Sequence, residues 1–141
     1  MLSDRQKIVT TMLQQQVKYY LLRLIQEFFK KLQLLMEKGS KVNEAEKLSI
    51  INDCHAFFSN SFAVSDTDNT EIIIEKVKDK DLLDLYVKLL LTEFEVTSRN
   101  KEKLSIVLEL IEYLQNTDAT FSWERTILRE DILRILDENN K

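Results

Sequence analysis

The 141-residue chain has no proline and a single glycine, Gly39, where ordinary usage would give roughly ten glycines and seven prolines. That deficit excludes collagen-like, Pro-rich and Gly-rich classes and argues against a sandwich or barrel built from many tight turns. With 44% apolar and 31% charged residues the composition is globular, and the net charge of -4 has the wrong sign for a nucleic-acid binder. An all-α fold remains, expected as one helical domain over residues 1–141 with five to six helices.

The first helix is predicted from Ser3 or Asp4, both good N-caps, to Lys38, with Gly39 as the residue that turns the chain out. Its interior has neither glycine nor proline. About 34 residues at 1.5 Å each reach roughly 50 Å, whereas a domain of this size is only about 35–40 Å across. Either the helix breaks around Gln14-Gln15-Gln16 or residues 1–18 project as an arm. Val17, Leu21, Leu24, Ile25, Phe28, Leu32, Leu35 and Met36 form one apolar stripe, while Ile8, Met12 and Tyr19 fall nearly opposite it. A second apolar side calls for a partner. The plainer alternative places Ile8 and Met12 on a frayed first segment or beneath the acidic remainder of the chain.

A second helix is predicted from Asn43, with Glu46 completing a capping box, to about Phe58, its inward face being Leu48, Ile51, Cys54, His55 and Phe58. Residues 59–69 read as a loop pinned by Phe62 and Val64. A short helix follows over about 70–77. Its run Ile72-Ile73-Ile74 would equally suit a strand, but no second strand-like segment exists to pair with it. A fourth helix spans roughly 80–97, with Leu82, Leu83, Tyr86, Leu89, Leu90 and Phe94 inward. Asn100 caps a fifth over about 101–115, with Leu104, Val107, Leu108, Ile111 and Leu114 inward. The sixth runs from near Ser122 to about Asp137 on Trp123, Ile127, Leu128, Ile132, Leu133 and Ile135, and residues 138–141 form a mobile tail. Short connections imply antiparallel neighbours. The run from Glu46 to Ile50 recurs word for word from Glu102 to Ile106, as shared helix-start chemistry or as the trace of a duplicated hairpin.

Charge is unevenly spread. Residues 1–39 carry 7 basic and 3 acidic side chains, a balance of +4, and residues 40–141 carry 13 and 21, a balance of -8. The basic segment is attracted to its own chain, to a second copy or to another acidic partner. The N-terminus has no signal-peptide core, and Arg23, Glu27, Lys30 and Lys31 interrupt the most apolar stretch, so neither secretion nor a membrane span is expected. The lone Cys54 allows no internal disulfide, and a cytoplasmic setting is the expectation.

Signatures of chemistry are sparse. A phosphate-cradling loop needs several glycines, and zinc sites need more than one histidine and one cysteine. Cys54 and His55 are helix neighbours about 100° apart, which suits core packing better than a nucleophile and base. The run from Asp66 to Thr70 lacks the glycine and the final glutamate of a calcium loop, and capping by Asp66, Asp68 or Asn69 explains it. Carboxylate catalysis would require Glu93, Glu95, Glu109 and Glu112 to converge. No catalytic residue, cofactor or metal is expected. Trp123 and Arg125 are the residue types favoured at interaction hot spots, although Trp123 would equally serve as a staple over the end of the bundle.

Residues 82–114, a helix, a polar turn and a second helix, resemble a tetratricopeptide-type hairpin. Leu91-Thr92-Glu93-Phe94-Glu95 stand where such repeats set a small residue beside a large one, and Leu104, Leu108 and Ile111 match the inward spacing of the second helix. Thr92 and Ser105 replace the usual glycine and alanine, and no closing proline follows. The layout is also similar to a group of small bacterial helical proteins in which a long first helix precedes such hairpins and a Phe-Ser-x-x-Arg-like element opens the last helix. Here that element reads Phe121-Ser122-Trp123-Glu124-Arg125. The group has no assigned activity, and the resemblance implies an interaction scaffold. The expectation is therefore a non-enzymatic protein that binds another protein or itself, with Ile8, Met12, Tyr19, Trp123 and Arg125 as candidate contacts. The alternative is a bundle binding a small molecule or lipid in an apolar pocket of Phe28, Phe29, Tyr86 and Phe94.

Overall fold

The computed structural model describes residues 4–37, 44–97, 101–118 and 122–138, with side chains from residue 16 onward apart from those of 35 and 36. The expected caps Ser3, Gly39, Asn43 and Asn100, together with Phe121 and the tail from 139, lie outside the described residues. Six helices follow in order: α1 (Asp4–Glu37), α2 (Glu44–Phe62), α3 (Thr70–Val77), α4 (Lys80–Thr97), α5 (Lys103–Thr117) and α6 (Trp123–Glu138), with no strand among the described residues. The isoleucine run of α3 is therefore helical. No helix among the described residues is long and apolar enough to cross a membrane.

α1 passes through Gln14–Gln16 without a break, because glutamine is a good helix former and nothing there disrupts the ladder. α2 runs four residues further than its predicted end at Phe58, so the loop starts at residue 63 and not at 59. The reason is aromatic: the Phe62 ring lies 6.4 Å from Phe57 and 6.2 Å from Phe58, and that clustering outweighs the weak helix preference of Ser59-Asn60-Ser61. The chain leaves α2 at Ala63, whose φ of 58° is left-handed and whose N–H donates to Ser59 O at 2.9 Å. Beyond it Val64 is buried as expected. Asn69 caps α3 by accepting from the Ile72 N–H at 3.0 Å. Asp68 accepts from the Ser65 N–H and from Lys76 Nζ, so these acids and amides serve the turn.

α3 reverses into α4 within three residues. Lys78 has φ 63°, and the Asp79 N–H donates to Val77 O at 2.7 Å, a γ-turn with positive φ at its centre. Asp79 then caps α4 through the Leu82 N–H at 3.1 Å.

α4 is the central helix. Leu82, Leu83, Leu85, Tyr86, Val87, Leu89, Leu90 and Leu91 are all buried, which makes it apolar nearly all round, as a helix enclosed by others must be. The prediction had credited it with one inward face and missed Leu85, Val87 and Leu91. α1, α2, α3 and α5 all pack against it. α2 runs opposite to α4, with Phe58 stacked edge-on against Tyr86 and His55 meeting Glu93. α5 also runs opposite to it, since Lys80 Nζ at the start of α4 donates to Thr117 O at the end of α5.

The expected inward face of α6 holds for Leu128, Ile132 and Ile135 and fails for the other three. Ile132 is buried, and Leu128, Ile135 and Leu136 pack against the core, while Trp123, Ile127 and Leu133 are exposed. The true stripe starts at Arg125, so a reading that accepts only apolar residues misses its first member and spreads the face too far round the helix. Val17 and Leu48, assigned to inward stripes, are likewise exposed. The repeated pentapeptide occupies unlike places: Leu48 is exposed while Leu104 is buried in the core.

Candidate interaction surface

α1 and α4 lie side by side and point the same way. Lys18 Nζ reaches Asp79 at 2.9 Å and Asp81 at 3.4 Å, in the turn that opens α4. The Asp79 carboxylate, with Asp81 beside it, holds the Lys18 ammonium above its ordinary pKa. Further along, Leu22 and Gln26 border a small cavity with Asp81, Asp84 and Leu85. Phe29, Gln33 and Glu37 then border a larger one with Leu91, Thr92 and Glu95. α1 therefore continues from Val17 back to Asp4 beyond the start of its central neighbour, a further stretch of about 21 Å. At the point of departure Val17, Tyr19 and Tyr20 are 56%, 69% and 65% exposed. Three large apolar side chains within four residues are more than a scattered surface minimum.

The two cavities form one continuous groove, sharing Gln26, Leu85, Lys88, Glu124 and Leu128. α4 is its floor, and α1 and α6 are its walls. The larger part encloses about 700 Å³ and mixes apolar Phe29, Leu32, Leu85, Leu91 and Leu128 with Glu37, Glu95, Lys30 and the Lys88–Glu124 ion pair. Loss of solvent around Glu95, with the Asp131 charge nearby, raises its carboxyl pKa.

The structure separates the two candidates on α6. Trp123 is 72% exposed beside this groove, whereas Arg125 is 5% exposed beneath it. Arg125 donates to both oxygens of Asp84, at 2.8 and 2.6 Å, and to Asp118 at 3.0 Å. These carboxylates push the guanidinium pKa well above its already high value. Arg125 thus clamps α6 to α4 and to the end of α5, and is not an outward contact. Its counterpart was legible as a lone Asp84 inside a run of leucines. Tyr19 is exposed, as its position required, while the side chains of Ile8 and Met12 lie outside the described residues.

On the other side of α4 a cavity of about 720 Å³ is bordered by Asn52, His55, Phe58, Asp66, Tyr86 and Glu93. His55 Nε2 bonds to a Glu93 carboxylate oxygen and not to Cys54, a pairing that sequence distance concealed. Tyr86 is pushed up to about 12 by burial, with Asp66, Asp68 and Glu93 adding to the effect, so its phenol stays protonated. The remaining acids do not converge: Glu109 accepts from Thr70 Oγ1, Glu112 faces Arg129, and Glu95 lies on the groove. Phe29 and Tyr86, placed together in the expected apolar pocket, border cavities on opposite sides of α4. No group of three or more metal-binding side chains occurs among the described residues.

The chain matches no family model, no curated protein and no solved structure.

Proposed function

We propose that this chain is an interaction module, acting by association and not by catalysis, and that α1 binds a second copy. One observation carries the reading. An unbroken helix outruns the neighbour it is anchored to, and it carries Val17, Tyr19 and Tyr20 exposed where it departs. Aromatic residues in such positions supply large contact area at low entropic cost. The basic balance of residues 1–39 against the acidic remainder favours encounter between copies. The resemblance of residues 82–114 to a tetratricopeptide-type hairpin supports the same reading.

Light scattering across a dilution series tests it on the full chain and on the double substitution Val17→Glu with Tyr20→Glu. Both sites are exposed, so the variant keeps its fold, checked by circular dichroism. A dimer that becomes a monomer in the variant is the expected result. A full chain that stays monomeric at every concentration would falsify the proposal.

A further inference from the structure

We infer that the second copy binds antiparallel about a two-fold axis beside Tyr20, so that each α1 lays residues 4–17 along the α1–α4–α6 groove of the other. This rests on the self-association proposed above and specifies its geometry.

The first argument is length. The departing stretch Asp4–Val17 and the groove edge from Leu22 to Glu37 each measure a little over 20 Å, from about 1.5 Å per residue. A two-fold axis at Tyr20 sets Asp4 of one copy level with position 36 of the other, Ile8 with Leu32, and Met12 with Phe28. The exposed Tyr20 then meets its own counterpart at the centre, with the exposed Tyr19 and Val17 of each copy to either side.

The second argument is charge. Arg5 and Lys7 arrive level with the end of the groove where Glu37 and Glu95 stand. The raised carboxyl of Glu95 marks a place where a cation would offset the cost of burial and the repulsion from Asp131. The third is shape: a groove floored by Leu85 and Leu91, with Phe29 and Leu128 on its walls, suits an amphipathic helix. Ile8, Val9, Met12 and Leu13 recur in the sequence at the one, four and five spacing of such a helix.

The test is pulsed dipolar spectroscopy on full-length chains spin-labelled at Gln16→Cys or, separately, at Lys31→Cys. Both positions are exposed and neither borders the groove. The native Cys54 need not be removed, because it is fully buried and its thiol is pushed up to about 12. From the helix rise and a helix spacing of 8–10 Å, the antiparallel pair gives about 15 Å between copies at position 16 and about 34 Å at position 31. Short distances at both positions mean parallel helices, and a long distance at position 16 means pairing elsewhere. Either overturns this geometry while leaving self-association standing. Absence of any dipolar signal, with a monomer in light scattering, removes both.

Discussion

Arg125 shows how far one side chain can decide the placement of an element. Its guanidinium is almost wholly buried, yet all its bonds go to Asp84 and Asp118, which makes it a fixed tie between α6 and α4. Removing one partner of such a pair leaves an uncompensated charge, at a cost of about 3–5 kcal/mol. The exposure of Asp84 to solvent puts this case at the low end. Arg125→Ala is expected to lower the urea midpoint by the equivalent of about 3 kcal/mol, while Arg125→Met combined with Asp84→Leu recovers most of the loss. A double variant no more stable than Arg125→Ala would show that the bond geometry, and not the stranded charge, dominates. In the sequence this residue looked like a surface hot spot, because arginine is seldom read as the first member of a buried stripe.

At the scale of elements, Asp79 holds two functions in one carboxylate. It caps α4 through the Leu82 N–H, and it receives Lys18, the contact that fixes where α1 leaves the body. The two contributions separate by substitution. Lys18→Ala removes a partly exposed ion pair worth at most about 1 kcal/mol. Asp79→Ala removes the cap as well and is expected to cost about 1–2 kcal/mol. Asp79→Asn keeps capping ability and should behave like Lys18→Ala in chemical denaturation. Equal losses for Asp79→Ala and Asp79→Asn would mean that the cap contributes nothing. The start of α4 at Lys80 was legible in the sequence. The pairing of Asp79 with Lys18 was not, because nothing local relates positions so far apart.

For the molecule as a whole, the core carries two acids that fold only in their neutral forms. Burial pushes the Cys54 thiol from 9.0 to about 12 and the Tyr86 phenol from 10.0 to about 12. In the unfolded chain both lose their protons first. The folded state therefore binds more protons above pH 9, and stability falls with rising pH until about 12 is passed. Thermal unfolding should accordingly shift down from pH 9 upward, and Cys54→Ala should delay the onset of that decline towards the tyrosine range. An unchanged onset in Cys54→Ala would assign the alkaline loss to Tyr86 alone. The same core explains what holds the helices together. α4 offers apolar surface on every side, and α1, α2, α3 and α5 each cover part of it.

By itself the sequence determined the helical class, the α3, α4 and α6 boundaries to within a residue or two, and a set of three cap candidates from which the structure selects Asn69. Those depend on propensity, capping chemistry and spacing, which act within a few residues. It also posed the right alternative for the first helix, a break or an unbroken 34-residue rod, and the structure chose the rod. Only tertiary structure decided the end of α2, where Phe62 joins Phe57 and Phe58, and the facing side of α6, which turns on a buried ion pair. The joining of His55 to Glu93 and the groove between α1, α4 and α6 belong to the same class. Each depends on which surfaces meet across long stretches of chain, and burial, desolvation and charge pairing take their values only once those surfaces have met.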